Sequence, residues 1–403
     1  MDSEKPDIHA DILPDLGESV SLMEPLLLPS DCSARQELSD LCVDLAAKSA
    51  ALRNKVPPAL LTSLADLVRA MNCYYSNLIE GHDTHPVEIE RALRGDYSND
   101  PAKRNLKLEA KAHISVQQWI DSGAITGGAL DLANLCEIHK RFCAEIPDEL
   151  LWVEGPGGKD KVIPGQFRQR LVQVGKHVAV SPGAIPRFLT RFDSAYGRLG
   201  KLEKILALPA AHHRFLWIHP FLDGNGRVAR LISYAQLLEL VDTGGVWSIA
   251  RGMARNVNAY KQHLMSCDEQ RRNDYDGRGN LSQIALEQFT QFFLEACLDQ
   301  VAFMETLVQP DKLRNRIIVW VEQESKTDRL LANAGRILEA ILYRGELPRA
   351  EVPLLLGVGE RQARRVVSAL STRGVLTSPS DRSPLRLAFP AALAPYWMPG
   401  LVP

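Results

Sequence analysis

The sequence predicts a mainly α-helical fold with a short β-hairpin and a C-terminal winged helix-turn-helix domain. Three observations predict it. Apolar residues recur at helical spacing over most of the chain between about residues 33 and 307. Glycine, proline and β-branched residues interrupt this pattern at residues 153–186. Beyond residue 333, helical patterns alternate with short extended segments.

The composition is that of an ordinary globular protein. Its 403 residues are 45% hydrophobic and 24% charged, which is enough for two or three domains. A net charge of -2 gives no overall basic field that would indicate nucleic-acid binding. The seven cysteines show no CxxC spacing, the acidic N-terminal residues lack the apolar core of a signal peptide, and no run approaches the ~20 apolar residues of a membrane span. We therefore expect a cytoplasmic protein that does not bind membranes.

The helices are predicted from apolar spacing and from the residues that start and stop them. The first thirty residues are rich in proline and acid and are expected to form an extended arm. Helices are then expected over residues 33–80, where the second begins at Pro57 and Pro58 and stops at Gly81. Similar patterns follow at residues 88–95, 105–120 and 130–146 and from residue 186 onward.

Two regions depart from this pattern. Phe167–Val174 ("FRQRLVQV") and the turn after it predict a hairpin. Near the C-terminus, a helix, a short helix, a turn at Gly357–Gly359, a third helix and two extended segments predict a winged helix-turn-helix. The chain is thus expected to divide into an N-terminal helical region (1–112), a helical core (113–309), and a connector helix with the winged helix (310–403).

The most informative segment is "HPFLDGNGRVAR", residues His219 to Arg230, which lies between two helical patterns. Its Asp-Gly-Asn-Gly stretch is a loop that leads into the N-terminus of a helix. The first amides of a helix have no intrahelical partner, and they lie at the positive end of the helix dipole. Glycines let successive amides curl around an anion, so phosphate is the expected ligand.

The charged residues of this segment suggest a reaction. Arg227 and Arg230 lie three residues apart on one helical face and could bracket a polyphosphate. Asp223 would repel phosphate unless a divalent cation bridged them, and Mg²⁺ is the usual choice. His219 is the group best suited to accept a proton near neutral pH. Together these residues predict transfer of part of a nucleotide to an incoming hydroxyl.

The segment resembles the motif of the Fic family, H-P-F-x-[D/E]-G-N-G-R-x-x-R, at every fixed position. The resemblance extends over roughly Cys32 to Val308. It implies a Fic helical core and transfer of AMP from ATP to a protein hydroxyl, with release of pyrophosphate. It further implies that His219 is the general base, Asp223 binds Mg²⁺ and Phe221 packs into the core. The nucleotide would be held by an anion nest, two phosphate-binding arginines and two base-pocket residues: Gly224, Asn225, Gly226, Arg227, Arg230, Asn256 and Tyr260.

A second segment, "SNLIEG", resembles the inhibitory motif of the same family, [S/T]-x-x-x-E-[G/N]. Ser76 and Glu80 are four residues apart, hence on one helical face, and Gly81 suits the end of the helix. The resemblance implies that Glu80 could pair with Arg230 and take the place of the γ-phosphate. In some members the same glutamate orients a water that removes AMP, so both directions remain open.

The predicted hairpin contains "PGQFR", residues Pro164, Gly165, Gln166, Phe167 and Arg168, and resembles the flap of Fic proteins. An exposed backbone edge there could pair with a target segment and align its hydroxyl. The alternative is that this hairpin is only a connector.

The third helix of the C-terminal region carries Arg361, Gln362, Arg364 and Arg365 on its polar side. In a DNA-binding protein this helix would enter the major groove, with Arg382 or Arg386 near phosphates. Because the chain is slightly acidic, the domain could instead serve as a docking or homodimer module.

Two other readings stay open. A chain with the same core could remove AMP or transfer another nucleotide or phosphate-containing group. A non-enzymatic chain could be a DNA-binding regulator whose core senses nucleotide. His139, His212 and His213 show no zinc-site spacing and are expected to be core histidines.

Overall fold

The computed structural model describes residues 13–96, 100–155 and 158–402, and most of these residues are helical. The mainly α prediction is therefore confirmed. The first twelve residues of the expected arm lie outside the described residues. Over the described ranges, no helix is both long enough and apolar enough to cross a bilayer.

The α-helices are, in chain order, α1 (Arg35–Lys55), α2 (Pro58–Ile79), α3 (Pro86–Leu93), α4 (Pro101–Asp121), α5 (Leu132–Ala144), α6 (Ile185–Tyr196), α7 (Lys201–Ile218), α8 (Asn225–Val241), α9 (Ile249–Arg255), α10 (Val257–Cys267), α11 (Gln283–Val308), α12 (Pro310–Thr327), α13 (Ala334–Arg344), α14 (Val352–Leu356), α15 (Glu360–Thr372) and α16 (Ala394–Trp397). The strands are β1 (Trp152–Gly155), β2 (Gly158–Lys161), β3 (Gln173–Val174), β4 (His177–Val178), β5 (Glu346–Leu347), β6 (Leu376–Thr377) and β7 (Leu385–Leu387).

The chain folds as two compact units, each built from separate stretches. The first unit comprises the described residues of Met1–Leu38, Gly123–Ser233 and Asn258–Gln291. The second comprises those of Ser39–Ser122, Tyr234–Val257 and Phe292–Pro403. The predicted division at residues 112 and 309 stays a prediction, because these units are not continuous in sequence.

In the first unit, α6 packs against α7. The apolar residues of α6 recur at helical spacing, and Phe188 and Phe192 are completely buried. The N-terminal arm covers part of this unit: a single 3₁₀ turn at Val20–Met23 buries Met23, and the Tyr196 hydroxyl donates to the Leu26 carbonyl at 2.8 Å. The arm is therefore part of the packed unit.

The hairpin region differs in detail from the prediction. Only the last two residues of Phe167–Val174 form a strand, β3, which pairs with β4. A second hairpin, β1–β2, pairs Trp152 with Lys161 at its open end. Its two strands contain mostly glycine and charged residues, so they lack the apolar alternation from which a strand is predicted.

In the second unit, α2 packs against α9 and α4. A buried polar network fixes α2: the Asn72 amide donates to Gln117 at 2.8 Å and its oxygen accepts from the Ser248 hydroxyl at 2.5 Å. The C-terminal part runs in the order α13, β5, α14, α15, β6, β7, with β7 between β5 and β6 in an antiparallel sheet. The three helices and the last two strands occur in the predicted order, whereas β5 was not predicted.

Candidate functional site

The end of α7 sets the position of His219. The His219 amide donates to the Phe215 carbonyl at 3.0 Å and closes the last turn, with the residue itself in the left-handed region (φ 51°, ψ 61°). Pro220 cannot continue a helix, so the chain turns there. A histidine with positive φ costs about 1 kcal/mol or more, and such strain persists only where the surroundings hold it.

The imidazole of His219 is oriented as a base. Its Nδ1 lies 3.2 Å from the Leu216 carbonyl oxygen. Because a carbonyl only accepts, we assign the proton to Nδ1, which leaves the Nε2 lone pair available. Burial lowers the pKa of His219 to about 4, opposed by the hydrogen bond to Leu216. The ring is therefore neutral at pH 7 and able to accept a proton.

The loop between α7 and α8 is held by its own asparagine. The Phe221 amide donates to Asn225 Oδ1 at 3.0 Å, and Asn225 Nδ2 donates to the Phe221 carbonyl at 2.8 Å. Phe221 is completely buried and stacks on the His139 ring, with centroids 3.8 Å apart. These contacts fix the loop on the core, as the family resemblance implied for Phe221.

The N-terminus of α8 has the geometry expected of an anion site. Gly224 caps the helix, since its carbonyl accepts from the Val228 amide at 3.0 Å, and its φ of 81° favours glycine. The amides of the following first turn, at Asn225 and Gly226, have no intrahelical acceptor and lie at the positive end of the helix dipole.

Two arginines follow on the same helix. Arg227 lies over the Phe142 ring, 5.0 Å from its centroid, and its Nη2 is 3.3 Å from Asp223 Oδ2. Arg230, about one helical turn further along α8, is buried. Two permanent cations are thus concentrated beside the helix N-terminus, as an anionic ligand requires.

Asp223 is the residue that could hold a metal. Its side chain is 54% exposed at the loop. Across the described ranges, no three His, Cys, Asp or Glu residues cluster closely enough to hold a metal ion. One accessible carboxylate fits Mg²⁺, which usually takes its other ligands from phosphate and water, and does not fit an all-protein site. The Mg²⁺ assignment stays a prediction.

The flap residues Pro164–Arg168 lie in the same unit as the catalytic motif. A cleft of about 360 Å³ is lined by Ile163, Gln166, Phe167 and, from the catalytic motif, Leu222. A target segment could therefore lie beside the catalytic loop, although the docking role stays a prediction.

Arg168 has a place that the motif did not indicate. Its side chain is buried, and Nε donates to the His219 carbonyl at 2.7 Å. Its Nη2 donates to the Val180 carbonyl at 2.6 Å and to that of Ile218 at 3.3 Å. Burial lowers its pKa to about 10, still far above neutral pH. The sequence indicated only that Arg168 belongs to the flap segment, and it gave no sign of these partners.

The three histidines that the sequence assigned to the core are buried in the first unit and bonded to protein groups. His139 Nδ1 accepts from the Gly165 amide at 2.9 Å. His212 lies between the Ser233 and Tyr260 hydroxyls, at 2.8 and 2.7 Å. His213 contacts Asp268 at 3.0 Å.

The two base-pocket candidates lie in different units. The Tyr260 ring is buried in the core of the first unit with its hydroxyl on His212. Asn256 caps α9 in the second unit, where its Nδ2 donates to the Gly252 carbonyl at 3.1 Å. Their role in base binding stays a prediction.

The inhibitory motif ends α2 in the second unit. Ser76 is fully buried, whereas Glu80 is exposed at the C-cap of the helix. Gly81 has φ 91°, and its amide donates to the Leu78 carbonyl at 3.0 Å. This is the helix end that the sequence predicted; the inhibitory role stays a prediction.

The third helix of the C-terminal region, α15, has the predicted polar face. Its four candidate residues Arg361, Gln362, Arg364 and Arg365 are exposed, and Ala363, Val366, Val367 and Leu370 are buried. Arg364 pairs with Glu360 at 2.9 Å. Arg386, proposed for the wing, pairs with Glu346 across β5 and β7 at 3.0 Å.

Part of this chain is similar in sequence to known proteins. The protein adenylyltransferase Fic of Culex quinquefasciatus is 32% identical over 171 residues, or 41% of this chain and 31% of that protein. The protein of the same name from Drosophila grimshawi is 25% identical over 167 residues, or 41% and 32% of the two chains. This chain thus aligns with about a third of the length of these relatives.

A solved structure has the same fold. The crystal structure of a Fic family protein from Desulfovibrio desulfuricans G20 matches with a TM-score of 0.50 at 16% identity, covering 86% of this chain and 96% of that one. Residues 129–237, which include α5 and the whole catalytic motif, match the model of the Fic/DOC family. The chain therefore carries a Fic/DOC family domain at residues 129–237.

Proposed function

We propose that this chain is a protein adenylyltransferase, which transfers AMP from ATP to a Ser, Thr or Tyr hydroxyl of a target protein. One observation carries the proposal. His219 has an unprotonated Nε2, and a short loop connects this residue to the N-terminus of α8, the helix that carries Arg227 and Arg230. The names of the relatives that align with this domain support the same activity.

In this reaction His219 Nε2 accepts the proton of the target hydroxyl as its oxygen attacks the α-phosphorus of ATP. The bond from the α-phosphorus to the bridging oxygen breaks, and pyrophosphate leaves with that electron pair. The amides of Gly224, Asn225 and Gly226, with Arg227 and Arg230, stabilise the phosphate charge. Mg²⁺ held by Asp223 would neutralise further charge on the polyphosphate.

Glu80 is proposed as an intramolecular inhibitor. The proposal is supported by its motif, by the helix end at Gly81 and by the position of Glu80 at the exposed C-cap of α2. One guanidinium cannot bind two anions with full bidentate geometry, so a carboxylate on Arg230 would compete with the γ-phosphate.

Intact-mass spectrometry tests both assignments. The wild type, Glu80→Gly and Glu80→Gly/His219→Ala are each incubated with ATP and Mg²⁺, alone and with a lysate. We expect AMP to be added only with Glu80→Gly. A Glu80→Gly/His85→Ala variant is the matched control, because His85 caps α3 and should leave labelling intact. Equal labelling by the His219 variant would overturn the mechanism, and equal labelling by wild type would overturn inhibition.

The same core could instead remove AMP or transfer a different phosphate-containing group. Incubating each variant with an AMP-modified target, and separately with GTP, CTP and UTP, tests this alternative. Release of AMP by the wild type and its loss in Glu80→Gly would favour removal.

A second candidate function concerns the C-terminal region. The order of α13–α15 with β5–β7, and the exposed cations of α15, support a winged helix that binds DNA. A DNA mobility shift that weakens with salt and is lost in Arg361→Ala/Arg365→Ala would support it. Retention of the shift in that variant would contradict it, and a concentration-dependent mass change would point to a homodimer module.

A further inference from the structure

Two buried side chains of the first unit join the flap (Pro164–Arg168) to the catalytic loop (His219–Gly224). They are the guanidinium of Arg168 and the imidazole of His139. Neither belongs to the catalytic motif, and both contact backbone of the flap or the loop directly.

Each guanidinium nitrogen of Arg168 donates at least one hydrogen bond, and each of these acceptors is a backbone carbonyl. Besides the carbonyls of Ile218 and His219, the acceptors are those of Arg170, at 2.8 Å, and Val180. Its own amide donates to the Pro220 carbonyl at 2.9 Å. A buried charge is tolerated only when its donors are satisfied, so this arrangement fixes the guanidinium in one position.

His139 makes the second connection. Its Nδ1 accepts from the Gly165 amide, while its ring stacks on Phe221 with an interplanar angle of 2°. Since Nδ1 accepts, the proton lies on Nε2, which faces the Cys143 sulfur at 3.3 Å. One ring thus contacts the flap on one side and the catalytic loop on the other.

We propose that Arg168 and His139 are positioning residues that fix the flap relative to His219, so that a docked target presents its hydroxyl to Nε2. The proposal rests on the proposed adenylyltransfer. It follows from the geometry of proton transfer, because the hydroxyl must lie within hydrogen-bond reach of the base and a displacement of about 1 Å can cost on the order of 100-fold in rate. Arg168 would therefore act on the target through His219 and the flap backbone, without binding the target itself.

The proposal predicts different effects on ATP binding and on transfer to the target, whereas a general loss of structure would impair both. The phosphate-binding groups lie on α8 and its N-terminal loop. In contrast, the Arg168 side chain donates to backbone carbonyls, including that of His219, and the His139 side chain accepts from the Gly165 amide. Removing the hydrogen bonds of these two side chains should slow transfer to a protein target while leaving ATP affinity unchanged.

Two conservative variants test this in the Glu80→Gly parent. Arg168→Lys keeps the charge but cannot reproduce the planar set of donors. His139→Phe keeps a ring on Phe221 and removes the acceptor for Gly165. The matched control is Arg214→Lys, because Arg214 is also fully buried and donates to backbone carbonyls, those of Pro25 and Cys267, away from the flap.

For each variant, kcat and KM for target labelling, the Kd of ATP and the melting temperature are measured. We expect kcat to fall on the order of 100-fold in Arg168→Lys and at least tenfold in His139→Phe, with ATP affinity within twofold of the parent. The control should lose melting temperature without this loss of kcat. A kcat within twofold of the parent, or ATP affinity and kcat falling together as in a purely structural defect, would overturn the proposal.

Hydrogen exchange of the flap separates this test from that of the proposed function. The Gly165 amide and its neighbours should exchange faster in both variants than in the control, whatever reaction the chain catalyses. If the parent labels no target but flap exchange changes as expected, the adenylyltransferase assignment fails and the connection stands. Unchanged flap exchange refutes the connection itself.

Discussion

The side chain of Asn225 exchanges two hydrogen bonds with the backbone of Phe221, accepting from its amide at 3.0 Å and donating to its carbonyl at 2.8 Å. A carboxamide has both a donor and an acceptor, so a single side chain can satisfy both groups. This pair closes the turn between His219 and the N-terminus of α8. A residue that is merely flexible could not form this pair, which explains why asparagine stands between the two glycines of the motif.

We therefore expect Asn225→Asp to destabilise the protein. The carboxylate keeps the acceptor but loses the donor and places a charge in a buried site, at a cost of about 1–3 kcal/mol. Urea denaturation measures the free energy of unfolding. Asn273→Asp is the control, because Asn273 is exposed and its side-chain oxygen, which aspartate retains, accepts from the Tyr275 amide at 2.9 Å. Equal stability of wild type and Asn225→Asp would contradict the role of this pair.

The lowered pKa of His219 predicts the pH dependence of transfer. Burial holds this pKa at about 4, against 6.5 for an ordinary histidine, with Arg168 and His177 lowering it further and Asp223 opposing them. The base works when neutral, so activity is retained above the pKa and lost as pH falls through it. In Glu80→Gly, kcat/KM for target labelling should be constant from pH 7 to about 5.5 and half-lost near pH 4. A midpoint near 6.5 would show that the base is not this buried imidazole.

Two other buried histidines predict that stability falls in mild acid. Burial lowers the pKa of His139 to about 4 and that of His212 to about 3, both from 6.5. Between pH 6.5 and 4 the unfolded chain binds protons that the folded chain does not, so stability is fully present above pH 6.5 and declines below it. Each histidine contributes up to about 1.4 kcal/mol per pH unit in this window.

Urea midpoints at pH 7, 6 and 5 measure this decline. His212→Gln should reduce its slope by about one proton equivalent, since glutamine does not titrate. His85→Gln, at the exposed N-terminus of α3, is the control for replacing a histidine outside the buried core. An identical slope in wild type and His212→Gln would contradict the assignment of a neutral buried ring.

Local patterns predicted those parts of the fold that depend on neighbours in sequence. The inward set of α15, Ala363, Val366, Val367 and Leu370, is buried as its spacing predicted. The ends of α2 also match, because Pro58 and Gly81 act through backbone geometry within one turn. The loop before α8 was predicted from its glycines for the same reason.

The features that the sequence did not predict depend on distant partners. Arg168 bonds to a carbonyl 51 residues away, and no spacing rule connects an arginine with the backbone of another segment. Strand β5 is two residues long and exists through its pairing with β7, as in Leu347 with Leu385, 38 residues further along. The motif predicted His219, Asp223 and Arg227 together, because these residues lie within nine positions of one another in the sequence.

The conformation of Gly224 gives the last prediction. Its φ of 81° is strained for any residue with a Cβ, whereas the space is adequate, since a Cβ would lie 3.7 Å from the His139 ring. Gly224→Ala should therefore cost about 1 kcal/mol through the backbone and turn the first amides of α8 away from phosphate, weakening ATP binding roughly tenfold. Gly200→Ala is the matched control, because Gly200 also caps a helix, α7, with φ -65° and with nothing within 4 Å of a Cβ. Calorimetric titration with ATP measures the affinity. Equal losses of ATP affinity in the two variants would assign the effect to helix capping. Unchanged ATP affinity in Gly224→Ala would show that these amides do not bind the phosphates.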